Sequence, residues 1–160
     1  MAIKVGDKIP SVTLKHLGED GMEEINTEDL LKNKKTVLFA VPGAFTPTCS
    51  AQHVPGFLKH TEEFKQKGVD QIICLSVNDA FVMDAWGKDR ETGNEIIMLG
   101  DGNGDLTRSM DLTLDGSGFG LGFRSQRYAM IIEDGTVKAL EVEQGPGLNN
   151  SSAENILTKL

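Results

Sequence analysis

Thr36-Val37-Leu38-Phe39-Ala40-Val41-Pro42-Gly43-Ala44-Phe45-Thr46-Pro47-Thr48-Cys49 decides how the chain is read. Its first six residues form a continuous apolar run rich in β-branched side chains, the pattern of a strand buried on both faces. Pro42 and Gly43 break that run into a turn. Thr46-Pro47 then suits an N-cap followed by the first helical residue, where proline's missing N–H costs nothing. Val54, Phe57, Leu58, Thr61 and Phe64 recur at helical spacing after it, and Gly68 suits the left-handed position that ends a helix. Pro55 lies inside this pattern. It removes one backbone donor and predicts a kink.

Outward from this segment the elements alternate. Ser11–Leu14 reads as a strand, and Thr27 as the cap of a short helix with Glu28 and Asp29 in its first turn. Gln71–Val77 is a second buried strand. Asn78 or Asp79 caps a helix running to about Asp89, and Glu95–Leu99 is a short strand. Residues 100–122 are rich in Gly and Asp and predict one short helix at most. Tyr128–Glu133 and Thr136–Val142 are strands joined at Asp134-Gly135, a hairpin signal. Ser151 with Glu154 reads as a capping box before a last helix carrying Ile156, Leu157 and Leu160. The order β-α-β-α-β, then hairpin, then helix, predicts one α/β domain over residues 1–160. A parallel pair with its crossover helix joins antiparallel strands in one mixed sheet flanked by helices. That arrangement is compatible with a thioredoxin-like fold.

The composition is that of an ordinary globular protein, with 39% apolar and 25% charged residues over 160 positions. A net charge of −8 argues against nucleic acid or an anionic membrane as partner. No apolar run approaches the length of a membrane span. The start of the chain carries neither an apolar signal core nor an Arg-rich leader, so a cytoplasmic protein is expected, or the mature form of an organellar one. Cys49 and Cys74 are the 2 cysteines. They are too few for a disulfide framework and too far apart for a C-x-x-C pair, which fits a reducing compartment.

If Thr46 is the N-cap, Cys49 is the third helical residue. Its sulfur then faces unpaired backbone N–H groups and the positive end of the helix dipole, and both favour a thiolate. A free thiol with a pKa of about 8.5 is only a few per cent ionised at neutral pH, so complete ionisation gains roughly 30-fold at most. Fast chemistry by such a sulfur therefore needs donors for the charge that develops on the departing atom. Thr46 lies one turn away and its hydroxyl both accepts and donates. Arg124 and Arg127 precede a predicted strand and offer permanent cations. Taken alone, each feature has a plainer reading. A cysteine at a helix start is often a small buried residue, Thr-Pro is usually just a cap, and an arginine before a strand is usually surface charge.

Together these residues resemble a known family. Pro42-x-x-x-Thr46-x-x-Cys49 is similar to the active-site signature of peroxiredoxins, of the AhpC/TSA superfamily. The longer run Val41–Ser50 with His53-Val54-Pro55-Gly56-Phe57 resembles the type II, atypical two-cysteine branch that includes the peroxiredoxin-5-like proteins. Cys74–Val82 and Arg127-Tyr128-Ala129-Met130 fit the same branch in order and spacing. The resemblance implies a thioredoxin fold and a peroxidatic Cys49 that becomes a sulfenic acid. It implies that Thr46 and Arg127 orient the peroxide, that Pro42 shields the oxidised sulfur, and that the amides of Gly43 or Cys49 complete the site. It also implies no metal or organic cofactor, a thiol reductant, and often a homodimer. Phe45, Phe81, Phe119 and Leu121 are the apolar residues expected near that interface or pocket.

The chain departs from part of the branch. Animal-type members carry a resolving cysteine where this chain has Asn150. Plant-type members have a second cysteine at the position of Cys74, where it is proposed as resolving. In this chain Cys74 falls mid-strand in an apolar run, which favours a buried inert thiol. The expected reductant is then external: glutathione, glutaredoxin or thioredoxin. Other signals carry less. Asp101-Gly102-Asn103-Gly104-Asp105 starts like a calcium loop but has Leu106 and Leu112 where an EF-hand needs Gly and Glu. The alternating glycines 116–122 match no phosphate-binding pattern. His16, His53 and His60 lack metal-ligand spacing. His53, one turn after Cys49, is expected mainly as a surface or capping residue, with tuning of the cysteine as the lesser reading, and Trp86 as core or interface. The competing functions are a thiol–disulfide oxidoreductase, disfavoured without C-x-x-C, and a non-enzymatic redox sensor.

Overall fold

The computed structural model describes residues 2–145 and 147–160. Its main sheet has 7 strands in the order β2-β1-β5-β4-β3-β8-β9. These are β1 (Thr13–Gly18), β2 (Gly21–Asn26), β3 (Lys35–Val41), β4 (Gln71–Ser76), β5 (Ile97–Gly100), β8 (Tyr128–Glu133) and β9 (Thr136–Val142); β6 (Thr113–Asp115) and β7 (Phe123–Ser125) form a separate ribbon. β3, β4 and β5 run parallel. β8 is antiparallel to β3, and β9 is antiparallel to β8. The sheet is mixed, as the element order predicts.

Side chains alternate across the sheet, and the alternation divides the core in two. Val37, Phe39, Val41, Ile72, Cys74, Ala129 and Ile131 face one side. There they meet α2 (Val54–Lys59), α3 (Thr61–Gln66), α4 (Ala80–Asp89) and α6 (Ala153–Leu157) through Phe57, Phe64, Trp86 and Ile156. Leu38, Ala40, Ile73, Leu75, Tyr128, Met130 and Ile132 face the other side, against Leu31 of α1 (Thr27–Leu31) and Leu106 and Met110 of α5 (Asp105–Met110). Cys49 and Cys74 therefore share one face of the sheet.

The central strands and the Asp134-Gly135 hairpin form where the sequence predicts them. Both hairpin residues have positive φ, 48° and 79°, the mirror-image turn that matches strand twist. Other boundaries differ. The first strand starts at Thr13 rather than Ser11 and pairs with β2, for which the polar sequence gives no apolar signal. The fifth strand starts at Ile97 rather than Glu95. Asn26, not Thr27, caps α1, because the Thr27 hydroxyl is spent on Pro10 O at 2.6 Å. Ser152, not Ser151, caps α6. Residues 100–122 hold α5, a 3₁₀ turn at Ser117–Phe119 and β6, more than the single short helix expected.

The loop that starts like a calcium site is used differently. Buried Asp101 accepts from the amides of Leu106 (3.2 Å) and Thr107 (2.8 Å) and from the Thr107 hydroxyl (2.6 Å), so it satisfies the start of α5 from outside the helix. Asp101→Ala leaves these buried donors unpaired. It is expected to lower the unfolding free energy by about 1–3 kcal/mol, read from urea denaturation. An unshifted midpoint would show that the cap contributes nothing.

Candidate active site

Register places the site. β3 ends at Val41, and β8 runs antiparallel to it with Ala40 opposite Tyr128. Arg127, one residue before Tyr128, therefore lies beside the turn that leaves β3. On the other flank, β4 runs parallel with Ser76 opposite Val41. This brings Asn78 to the same turn, where its Oδ1 accepts from the Ala44 amide at 3.0 Å and from the Ser76 hydroxyl at 2.6 Å. Phe45 takes φ +65°, an uncommon conformation for a bulky residue. It reverses the chain so that Thr46 opens the helical segment.

Thr46 O accepts from the Ser50 amide at 2.9 Å, as an N-cap carbonyl does, whereas its hydroxyl donates to Gly43 O at 2.7 Å. The helix then widens. Cys49–His53 is a π-helical turn in which the Val54 amide reaches back to Cys49 O. Continuing that pattern would pair the next amide with Ser50 O, but the next residue is Pro55, which has no N–H. Arg90 Nη1 takes Ser50 O instead at 3.1 Å, and Trp86 Nε1 donates to the Ser50 hydroxyl at 2.9 Å. The expected proline kink thus appears as a π-turn held by α4.

The structure brings Cys49, Arg127 and His53 together. Arg127 Nη2 lies 3.1 Å from Cys49 Sγ, and its Nη1 lies 2.9 Å from His53 Nδ1. His53 Nε2 is 2.9 Å from Ser151 O. Burial, and secondarily the Arg127 cation, push the imidazole down to about 3, against smaller opposing effects of Ser151 and Glu143. His53 is therefore neutral at physiological pH. Only one tautomer fits its partners: Nε2–H donates to Ser151 O, and the bare Nδ1 accepts from Arg127. The expectation of a surface or capping histidine is corrected here. His53 is fully buried between Phe39 and Phe57, with ring centroids 4.8 and 5.5 Å away.

Arg124 goes elsewhere. Its Nη1 is 3.4 Å from Pro42 O and its Nε donates to Leu121 O at 3.0 Å. A Cβ on Gly43 would sit 3.0 Å from Arg124 Nη1 and 3.2 Å from Thr46 Cγ2. Gly43 thus lets the guanidinium close over the turn. Cys49 itself has no exposed surface. A substrate reaches the sulfur only when the residues over it move.

Cys74 sits mid-β4, opposite Phe39, also without exposed surface. Burial, with Cys49 adding to it, pushes its thiol well above the ordinary value, against a smaller effect of Arg127. Both cysteines are free. Phe45, Phe81 and Phe119 project into solvent, Phe119 with 89% of its surface exposed, while Leu121 is half-buried and Trp86 belongs to the core. A groove of about 920 Å³, lined by His16, Asp84 and Lys88 among others, contains none of the residues around Cys49. Among the described residues there is no cluster suited to a metal ion and no helix long and apolar enough to cross a membrane.

The Redoxin family model matches residues 4–157. Peroxiredoxin-2E, a chloroplastic protein of Arabidopsis thaliana, is 49% identical over 163 residues, which cover 99% of this chain and 70% of that protein. This chain belongs to the type II peroxiredoxins. Peroxiredoxin-2B of the same plant is 46% identical over 99% of this chain and 98% of its own length. The crystal structure of reduced Prx3 from Vibrio vulnificus in complex with H₂O₂ superposes with a TM-score of 0.94, at 49% identity over 98% of each chain. The mixed α/β architecture is the thioredoxin-like peroxiredoxin fold, and the activity is that of a thiol-dependent peroxidase, an oxidoreductase.

The buried neutral imidazole has a consequence for stability. The unfolded chain protonates His53 below about 6.5, while the folded protein resists down to about 3. Between those limits the unfolded state binds the extra proton, so stability falls as pH falls, by up to about 1.4 kcal/mol per pH unit from this group. His53→Phe is expected to flatten the acid limb of a stability-against-pH curve by that slope. Parallel curves would show that the histidine is not held neutral.

Proposed function

We propose that Cys49 is the peroxidatic residue and that it reduces hydrogen peroxide and alkyl hydroperoxides. The observation that carries this reading is the 3.1 Å approach of the Arg127 guanidinium to the Cys49 sulfur. The anionic sulfur attacks one oxygen of ROOH. The S–O bond forms as the O–O bond breaks, Cys49 becomes a sulfenic acid, and the departing RO⁻ takes up a proton to leave as ROH. Arg127 donates to the peroxide as charge moves onto the leaving oxygen. Thr46 already donates to Gly43 O, so its oxygen lone pairs are left to accept from the peroxide's own O–H. Pro42, at the start of the turn that leads to the cysteine, would shield the sulfenic acid, the role the family signature gives it. The relative whose crystal structure holds H₂O₂ supports hydrogen peroxide as one substrate.

Recycling uses an external thiol such as glutathione, glutaredoxin or thioredoxin. The thiol displaces water from the sulfenic acid to form a mixed disulfide with Cys49, and a second thiol attacks that bond, so that the Cys49 thiol is restored and the reductant leaves as its own disulfide. Asn150 replaces one resolving cysteine of the family, and Cys74, enclosed and protonated, is a poor second. No metal or organic cofactor is needed for these steps. The exposed Phe45, Phe81 and Phe119 support a homodimer packed near the active site. A cytoplasmic location suits two free thiols, with the mature form of an organellar protein as the alternative.

Cys49→Ser is expected to reduce hydroperoxide turnover by at least roughly a thousandfold with the fold intact. Retention of most activity would overturn the assignment. Arg127→Gln is expected to slow the peroxide step by about 10²–10³-fold. Cys74→Ser should leave glutathione- or glutaredoxin-supported turnover largely unchanged, and its complete loss in a folded variant would make Cys74 the resolving residue.

A further inference from the structure

Arg127 sits in a closed ring of hydrogen bonds. Glu143 directly follows β9, and its amide donates to Arg127 O at 3.0 Å. One oxygen of its carboxylate, Oε2, accepts from the Asn149 amide (2.9 Å), the Ser151 amide (2.8 Å) and the Ser151 hydroxyl (2.8 Å). Ser151 O receives His53 Nε2, and His53 Nδ1 receives Arg127 Nη1. The backbone and the guanidinium of one arginine are thus joined through Glu143, Ser151 and His53. Burial opposes ionisation of Glu143. The Ser151, Asn149 and Asn150 donors together outweigh it and hold the carboxyl below its usual range. The acceptor is therefore charged at physiological pH.

The ring matters because a neutral imidazole carries one N–H. While Ser151 O holds that proton on Nε2, Nδ1 presents a lone pair to Arg127. If the loop drifts, the proton is free to sit on Nδ1. Two N–H groups then oppose each other, and the guanidinium must turn from its place 3.1 Å from the sulfur. A misplacement of about 1 Å costs on the order of a hundredfold in a positioned reaction.

We propose that Glu143 is a positioning residue for the peroxide step, acting by clamping the 149–151 loop so that Ser151 O fixes the His53 tautomer and, through it, the plane of Arg127. It never meets the peroxide. The segment where animal-type members carry a resolving cysteine serves in this chain as the brace of the active-site arginine. The proposal rests on Cys49 being the attacking sulfur.

The test combines rate with spectroscopy. Glu143→Ala is expected to slow oxidation of Cys49 by H₂O₂, followed in single turnover, by about ten- to a hundredfold. Glu143→Gln keeps an oxygen acceptor for the same donors and should recover much of the loss. In a His53→Phe background, Glu143→Ala should slow the reaction no further, since the path through the imidazole is already cut. Imidazole ¹⁵N shifts should show the pure Nε2–H tautomer in the parent protein and a mixture in Glu143→Ala. A parent-like rate in Glu143→Ala, an equal loss in the His53→Phe background, or an unchanged tautomer would each overturn the proposal. Should Glu143→Ala not fold, the shifts and rate of Glu143→Gln decide, a rate as low as the His53→Phe variant's counting against it. If Cys49→Ser kept its activity, the peroxidatic reading would fail, while the ¹⁵N shifts would still report on the clamp.

Discussion

One guanidinium divides its donors between a sulfur and a neutral imidazole, and the rest of the site is arranged around that division. Arg127 meets a sulfur and a neutral histidine rather than a carboxylate, so no carboxylate competes with the sulfur for its charge. A carboxylate in the place of His53 would hold the arginine more strongly but would cancel part of the field at the sulfur. Burial of His53 secures the neutral state. The same burial makes the arrangement costly to fold in acid.

Three neighbouring strands converge on this guanidinium. β3 delivers the turn and the cysteine, β4 delivers Asn78 to pin that turn, and β8 delivers the arginine. The antiparallel β8 is essential, since its first residues lie beside the last residues of β3. The site thus stands at the carboxyl ends of parallel strands, where loops meet in open α/β sheets. The π-turn adds local adjustment. Pro55 prevents the regular helix, and Arg90 and Trp86 from α4 secure the polar groups of Ser50. Cys49 therefore sits on a turn fastened from two sides, by α4 through Ser50 and by the C-terminal loop through His53.

Enclosure of the sulfur gives these fastenings a second meaning. Cys49 has no exposed surface, so any molecule that is to reach the sulfur depends on movement over or within this turn. A π-turn stores fewer well-formed hydrogen bonds than an α-helical one and is a natural place for such movement. Cys74 lies on a central strand of the sheet, with no comparable freedom.

Local sequence was enough for the buried strands β3 and β4, the strands β8 and β9 with their hairpin at Asp134-Gly135, the helix start at Thr46-Pro47 and the cysteine within its first turn. All of these depend on local periodicity and turn chemistry. The Pro42–Cys49 signature carried the family resemblance as well. The polar β2 strand and the short β6 and β7 were not legible, because their pairing is made by neighbours rather than by their own apolar pattern. The caps at Asn26 and Ser152 escaped because Thr27 and Ser151 have better partners outside their own helices, Pro10 and Glu143. The family resemblance singled out Arg127 over Arg124, but only tertiary structure placed its guanidinium on the sulfur, buried His53 as a neutral imidazole, and closed the ring through a loop near the C-terminus. Each depends on strand register and on contacts between residues 74 to 98 positions apart, which no local pattern encodes.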